Sequence, residues 1–280
     1  MGSTLVKKMN FKYSFIYIVL FLFAITNIYP IIWMVMNSLK TSQDFSINKL
    51  GLPRKFVIQN YIDAWNTANF KDFFINSIIV SVIAVIITVL FGALAAYFLS
   101  RFKFKMNALI YGFFIFGLLV PVHATLVPMF LFMQNLGLLN TRLALILPYI
   151  AFNLPITIFL LYSFMRAFPM DIEESAIMDG ASVFRIFWSI ILPMSKPAIA
   201  TVTILCFINN WNEFVFALVL INDSALQTLP LGLQNFAGQY STNYVAQMAG
   251  LTMALIPILV VFLFLEKEIV KGMTAGAVKG

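Results

Sequence analysis

The chain has 280 residues, 61% of them hydrophobic and only 10% charged, with a mean hydropathy of +0.94. Average soluble domains carry about a quarter charged residues, so a water-soluble globular fold is excluded. The net charge of +7 is scattered between apolar runs and forms no basic stripe, which argues against a nucleic-acid binder.

Backbone inside lipid must satisfy its own hydrogen bonds, so helices or a closed barrel are the choices. The apolar runs here are long and continuous rather than alternating segments of about ten residues, which predicts helices. Lys7, Lys8 and Lys12 precede the first run, residues 13–39, which is longer than the ~7–15 residues of a secretory-signal core and reads as a retained span. Five further spans follow at 73–99, 108–134, 143–165, 197–221 and 246–265. Asn27 and Pro30 are expected to interrupt the first span, Pro121 and Pro128 the third, Pro148 and Pro155 the fourth, and Pro257 the sixth. Gly92, Ala93, Ala95 and Ala96 in the second span form a small-residue cluster that lets helices approach closely.

Lys and Arg mark the inner side. Lys7, Lys8, Lys12, Arg101, Lys103, Lys105, Arg166, Arg185, Lys196, Lys267, Lys271 and Lys279 make twelve on one set of flanks, against six on the other (Lys40, Lys49, Arg54, Lys55, Lys71 and Arg142). Both termini and the stretch 169–193 are therefore expected on the cytoplasmic side, with 40–72 and 222–245 as extracytoplasmic segments and 266–280 as a cytoplasmic tail. The 222–245 stretch has no Lys or Arg and is rich in amide and aromatic residues. It suits contact with a polar, uncharged partner such as sugar hydroxyls, and equally reads as an ordinary polar loop.

Catalytic and cofactor motifs are sparse. No G-x-x-x-x-G-K-[ST] phosphate loop is present, so the chain is not expected to bind ATP itself. His123 is the sole histidine and no metal-ligand spacing occurs, so no metal site is expected. His123 either lines a polar cavity or is a hydrogen-bonded structural residue. Cys206, the sole cysteine, lies in an apolar run and reads as a small buried hydrophobe.

Two polar clusters remain. Asn209, Asn210, Asn212 and Glu213 surround Trp211 within the fifth run. Ionisable groups at that depth are costly and usually face a bundle interior or aqueous cavity. They either line a solute pathway or lock helix packing. The second is FPMDIEESAIMDGASVFRIFWSIILP, which ends at Pro193. Asp171 is expected to cap a helix whose first turn carries Glu173 and Glu174, and Gly180 to end it. Ser182 would cap a second helix with Phe184, Phe187, Trp188 and Ile191 on one apolar side. Such a helix–Gly–helix unit forms a knob for a cleft, or an amphipathic helix lying in the membrane interface.

Glu174-Ser175-Ala176, three residues, Gly180, nine residues, Ile190, one residue, Leu192-Pro193 resembles the EAA signature of permease subunits in binding-protein-dependent ABC importers. Ser175 stands where the signature has its first alanine. Asp179-Gly180-Ala181, Trp211-Asn212-Glu213-Phe214, Asn60-Tyr61, Asn76-Ser77 and the tail from Gly272 to Gly280 extend the resemblance to MalG-type carbohydrate permeases along nearly the whole chain.

The resemblance implies an all-α polytopic protein with six transmembrane helices, the transmembrane domain of a type I ABC importer, spanning residues 1–280 as one permease domain in the bacterial cytoplasmic membrane. It implies a second, MalF-like permease subunit, two ABC ATPase subunits that bind ATP and Mg, and an extracytoplasmic solute-binding protein. Glu174, Ser175, Ala176, Asp179, Gly180, Ile190, Leu192 and Pro193 would couple to an ATPase subunit, and the tail would reach into the ATPase pair. Gln234, Asn235, Phe236 and Gly238 would meet the binding protein or its sugar. The expected cargo is a carbohydrate, an oligosaccharide in particular. The alternatives are an ion-gradient-driven secondary transporter, a related importer for a solute such as a glycerol phosphate, and a membrane-embedded enzyme, the last disfavoured by the lack of a nucleophile–base or metal constellation.

Overall fold

The computed structural model describes residues 11–66, 69–239 and 244–277, with side chains for 15–66, 69–234 and 244–270. All regular structure among them is helical: α1 (Phe11–Ser38), α2 (Ser42–Ile47), α3 (Gln59–Asn66), α4 (Phe70–Arg101), α5 (Asn107–Gly117), α6 (Leu126–Asn135), α7 (Leu143–Arg166), α8 (Asp171–Met178), α9 (Val183–Ile186), α10 (Leu192–Met194), α11 (Lys196–Trp211), α12 (Val215–Leu220), α13 (Leu229–Gln239) and α14 (Tyr244–Ala277). The chain divides into two compact units, Met1–Thr67 with Ala237–Met253, and Ala68–Phe236 with Ala254–Gly280.

In the first unit α1 exposes every side chain from Phe15 to Ile32, as an apolar helix does when lipid or a partner covers it. Pro30 stays inside the helix. The chain leaving α1 is pinned by polar side chains. The Asn60 amide donates to the carbonyls of Ser38 and Lys40, both at 2.8 Å, and the hydroxyls of Ser38 and Tyr61 bond to each other at 2.5 Å. Thr41 caps α2 by accepting from the Asp44 amide at 3.0 Å. Of the expected 40–72 segment, residues 40–66 thus carry two short helices, and Phe70 already begins α4.

In the second unit α4, α7 and α11 pack together and α5 lies against α7. One core cluster joins Val80 and Ala84 of α4 to Met133, Leu145, Tyr149, Phe216 and Leu220. A second joins Ala93, Ala96 and Tyr97 to Leu161, Met165, Ala176, Ile186, Phe187 and Ile191. The small-residue cluster explains how closely α4 meets α7. A Cβ on Gly92 would stand 2.5 Å from Thr157 Cγ2, so the Thr157 side chain packs against α4 only because Gly92 has none. Gly92→Leu is therefore expected to cost about 1–3 kcal/mol through overpacking, read as a lower melting temperature of the purified protein in detergent.

Among the described residues four helices are long and apolar enough to cross a membrane, Phe15–Ser38, Phe70–Arg101, Leu143–Arg166 and Tyr244–Val270, and two further pairs are bent. The third expected span is Asn107–Gly117 followed by Val122–Asn135, bent by 93° at Pro121. Pro121 has no N–H to donate and holds an extended ψ of 116°, which ends the helical run. Pro148, Pro155 and Pro257, expected as interruptions, lie within continuous helices instead. Pro155 serves as a packing surface: its ring would be 2.8 Å from a Cβ on Gly117. The fifth expected span, 197–221, stops at Trp211 and restarts at Val215.

Candidate functional site

The stretch after α7 folds as helix, glycine corner, helix. Asp171, Glu173 and Glu174 occupy the first turn of α8, where the backbone dipole favours acids. Met170, not Asp171, holds the cap position and makes no side-chain cap bond, because Asp171 has already entered the helix. Gly180 sits at φ +79°, and the closing pattern is complete: its amide donates to Ile177 O and that of Ala181 to Ala176 O, both at 2.9 Å. Ser182 Oγ accepts from the Arg185 amide at 3.4 Å to start α9. A π-helical turn over Phe187–Ile191 then joins α9 to α10.

What fixes this knob to the bundle is a buried ion pair that spacing did not single out. Arg101, last residue of α4, lies with Nε 2.6 Å from Glu173 Oε1, the two side chains only 4% and 10% exposed. Tyr97, one turn earlier, donates its hydroxyl to Glu173 Oε2 at 3.1 Å. The guanidinium also donates to Phe168 O at 3.2 Å, so one side chain holds both the segment's entry and its first turn. Beneath the pair Ala176, Ile186, Phe187 and Ile191 are buried.

The expected single apolar side is in fact two. Phe187 and Ile191 face the core, while Phe184 is 73% and Trp188 49% exposed, and the π turn over Phe187–Ile191 keeps Ile191 in line with Phe187. Met178, 87% exposed, with Ile177 and Val183 completes an outward apolar face. Of the motif residues, Glu174, Ser175, Asp179, Gly180 and Pro193 are exposed, Ile190 and Leu192 half-buried, and Ala176 buried. Ser175 Oγ donates back to Asp171 O at 2.7 Å, so its hydroxyl is absorbed by its own helix.

A second site surrounds the break between α11 and α12. Glu213 accepts from the amides of Phe216 (2.6 Å) and Ala217 (3.3 Å) and from the Tyr149 hydroxyl (2.7 Å). Its carboxylate thereby starts α12 and stops α11, since a side chain that takes up first-turn amides competes with continuing the helix. Asn153 of α7 donates to Tyr149 O and Asn210 Oδ1, and accepts from Asn209 Nδ2 at 3.2 Å. Asn209, Asn210, Glu213, Tyr149 and Asn153 share the wall of a cavity of about 440 Å³ with residues at the Pro121 bend. Asn212 is not part of that wall; its amide donates to Ile208 O. His123 is exposed in the bend and also absent from the wall, and Cys206 is buried against Thr157 Oγ1 at 3.4 Å. The α7 members, Tyr149 and Asn153, were the ones sequence reasoning missed.

Of the 222–245 stretch, residues 222–239 form a tight turn followed by α13 rather than an open loop, and Tyr244 already begins α14. Its base is clamped by the Asn76-Ser77 pair. Asn76 donates to Ala225 O and Gln227 O and accepts two bonds from Arg142, while Ser77 Oγ accepts from the Leu229 amide. Gln234 is exposed on α13. Asn235, Phe236 and Gly238 lie on the same helix, but their side chains fall outside the described residues, as do those of the tail from 271 onward.

Residues 88–274, which hold both clusters, match the family described as binding-protein-dependent transport system inner membrane component. The chain belongs to this family. It is 39% identical to the diacetylchitobiose uptake system permease protein of Streptomyces coelicolor, over 92% of this chain and 86% of that one. With the trehalose/maltose transport system permease protein MalG of Thermococcus litoralis it shares 37% identity, over 92% of this chain and 94% of that one. A crystal structure of a bacterial ABC transporter involved in the import of the acidic polysaccharide alginate superposes with a TM-score of 0.79 at 26% identity, covering 95% of this chain and 99% of that one. The protein is thus an all-α, multi-pass permease subunit with the ABC-importer fold, a family that is not itself catalytic.

Proposed function

We propose that this chain is one half of the membrane pore of an ATP-driven importer for a carbohydrate, working by alternating access between two packings of a permease pair. The observation that carries the reading is the knob: an exposed apolar face of Met178, Phe184 and Trp188 beside exposed Glu174 and Asp179, tied at its root to α4 by a buried ion pair. A unit that is apolar on its outer side and rooted by a buried ion pair suits docking into a partner's cleft and passing that partner's motion to the bundle. The partner is an ABC ATPase subunit, one of two that bind ATP and Mg, and the second half of the pore is a MalF-like permease.

On this reading the knob and both termini face the cytoplasm, and the protein resides in the bacterial cytoplasmic membrane. The tail reaches toward the ATPase pair. The turn and α13, clamped by Asn76 and Ser77, face an extracytoplasmic solute-binding protein, with Gln234, Asn235, Phe236 and Gly238 at the contact. Carbohydrate cargo is supported by relatives whose names specify diacetylchitobiose and trehalose/maltose uptake.

Affinity isolation of the tagged chain from its own membranes tests this. Two ATPase subunits and a second permease are expected to co-purify, and sugar uptake in vesicles to stop when ATP is depleted. Uptake that survives ATP depletion and collapses with the ion gradient would identify a secondary transporter instead.

A further inference from the structure

The chain between α2 and α3 carries a surface that neither site above uses. Residues 45–62 hold three cations, Lys49, Arg54 and Lys55, and no acid. Interleaved with them are Ile47, Leu50, Leu52, Phe56 and Ile58, all 67–73% exposed. The loop that displays them is tied down. The fully buried Lys40 donates its ammonium to Asn48 O at 2.6 Å, and Asn48 Oδ1 accepts from the Gly51 amide at 2.8 Å. The Trp33 indole donates to Lys49 O at 2.8 Å, and the Val57 amide to Leu39 O at 2.8 Å. The Trp33 bond sets the depth. Trp33 lies about 7–8 Å along the axis before Ser38, the last residue of α1. The loop therefore folds back along α1 as far as the indole and returns to the helix end at Val57. It meets α1 where the run of exposed side chains from Phe15 to Ile32 stops. Tryptophan is enriched at the membrane–water boundary, so Lys49 to Leu52 lie at that boundary with Leu50 and Leu52 turned outward.

We propose that residues 47–58 form an interfacial anchor seated in the lipid leaflet at this end of α1, and that its ligands are anionic phospholipids. Leu50, Leu52 and Phe56 enter the upper acyl region, and lysine ammoniums meet the headgroup phosphates. Arg54 already faces Asp44 at 3.6 Å, so the headgroups fall to the exposed Lys49 and Lys55. Charge complementarity selects lipid over a protein partner. Protein interfaces are depleted in lysine, whereas apolar side chains interleaved with basic ones are the pattern of a segment lying in an anionic membrane surface. The anchor holds the end of α1 at a fixed depth. The import reading enters only in naming this leaflet the outer one, and the anchor stands or falls without it.

The test uses the full chain, purified with the subunits that accompany it, in mixed phosphatidylcholine–phosphatidylglycerol vesicles. Cys206→Ala removes the chain's sole thiol, and Leu50→Cys carries a bimane fluorophore at an exposed position. Gln43→Cys, exposed on α2 outside the excursion, is the control. Lipids brominated on their acyl chains quench only a fluorophore they touch. Both brominated lipids are expected to quench bimane at position 50 and to leave position 43 unchanged. The phosphatidylglycerol is expected to be preferred over the phosphatidylcholine by about fivefold for each of Lys49 and Lys55. Lys49→Gln combined with Lys55→Gln is expected to abolish that preference and to keep quenching by the brominated phosphatidylcholine. Position 50 left unquenched by either lipid means that another subunit or water covers the patch, and overturns the anchor. Equal quenching at 43 and 50 overturns it too, because the excursion would then be no deeper than its surroundings. Quenching at 50 that does not distinguish the two lipids overturns the anionic assignment.

Discussion

Arg101→Met is expected to lower the stability of the permease by about 3–5 kcal/mol, because it leaves the Glu173 carboxylate buried without its cation. Glu173→Leu is expected to do comparable harm from the other side, stranding a guanidinium that is 4% exposed. The pair joins the end of α4 to the first turn of α8, so the loss also frees the knob from its root. Combining the two substitutions separates these effects. Replacing both members of a buried ion pair by apolar side chains of similar volume is often neutral for stability. The double variant should therefore regain most of the melting temperature lost by either single one, a coupling that a double-mutant cycle measures directly. Sugar uptake per ATP hydrolysed should stay low, because a greasy contact does not fix the angle at which α8 leaves the bundle as a charge, a tyrosine hydroxyl and a backbone carbonyl do together. Parental melting temperature in the Arg101→Met variant would refute the stability argument. Full coupling in the double variant would show that the pair does not transmit motion.

Most of the helical content was legible because it follows from hydropathy over long windows. The membrane-length helices α1, α4, α7 and α14 coincide with expected spans to within a few residues at most ends. What was not legible is where apolar runs break. Pro121 ends a helix while Pro148, Pro155 and Pro257 do not. A proline's effect inside a membrane helix depends on how neighbours satisfy the freed groups, which is tertiary information. The break at Asn212–Phe214 had a local signal, Glu213 placed three and four residues before Phe216 and Ala217. That signal is overridden in a run this apolar unless the Tyr149 hydroxyl is known to reach the same carboxylate.

The knob's backbone was readable from Gly180 and Ser182, whose roles are local. Its orientation was not. Glu173 and Glu174 are equivalent in composition, yet helical spacing puts Glu173 with Ala176 on the inward stripe and Glu174 with Ile177 and Met178 outward. Arg101 was counted as a topology charge, and nothing in a single chain's spacing links it to a glutamate seventy-two positions later. Phe184 and Trp188 likewise turn away from the face they were expected to share with Phe187 and Ile191.

Gly180→Val is expected to uncouple transport while leaving the bundle folded. At φ +79° the corner lies where a side chain costs about 1–2 kcal/mol, more for a β-branched one, yet a Cβ there would meet nothing within 4 Å. The strain is therefore confined to the corner's own backbone, with no clash against the rest of the fold, and the chain relieves it by rotating out of the left-handed region. That rotation breaks the two closing hydrogen bonds from Gly180 and Ala181 and re-aims α9 with Phe184 relative to α8 with Met178. The core beneath, held by Phe187, Ile191 and the Arg101–Glu173 pair, is untouched, so membrane insertion and melting temperature should change little. Uptake should fall about tenfold or more, in step with about 1–2 kcal/mol withdrawn from the docking-competent arrangement. Asparagine tolerates the left-handed region, so Gly180→Asn is expected to retain uptake within about twofold. The contrast isolates backbone conformation from side-chain bulk, since both residues add atoms to the same open space. Equal uptake by the valine and asparagine variants would mean that the corner's left-handed geometry plays no part in docking.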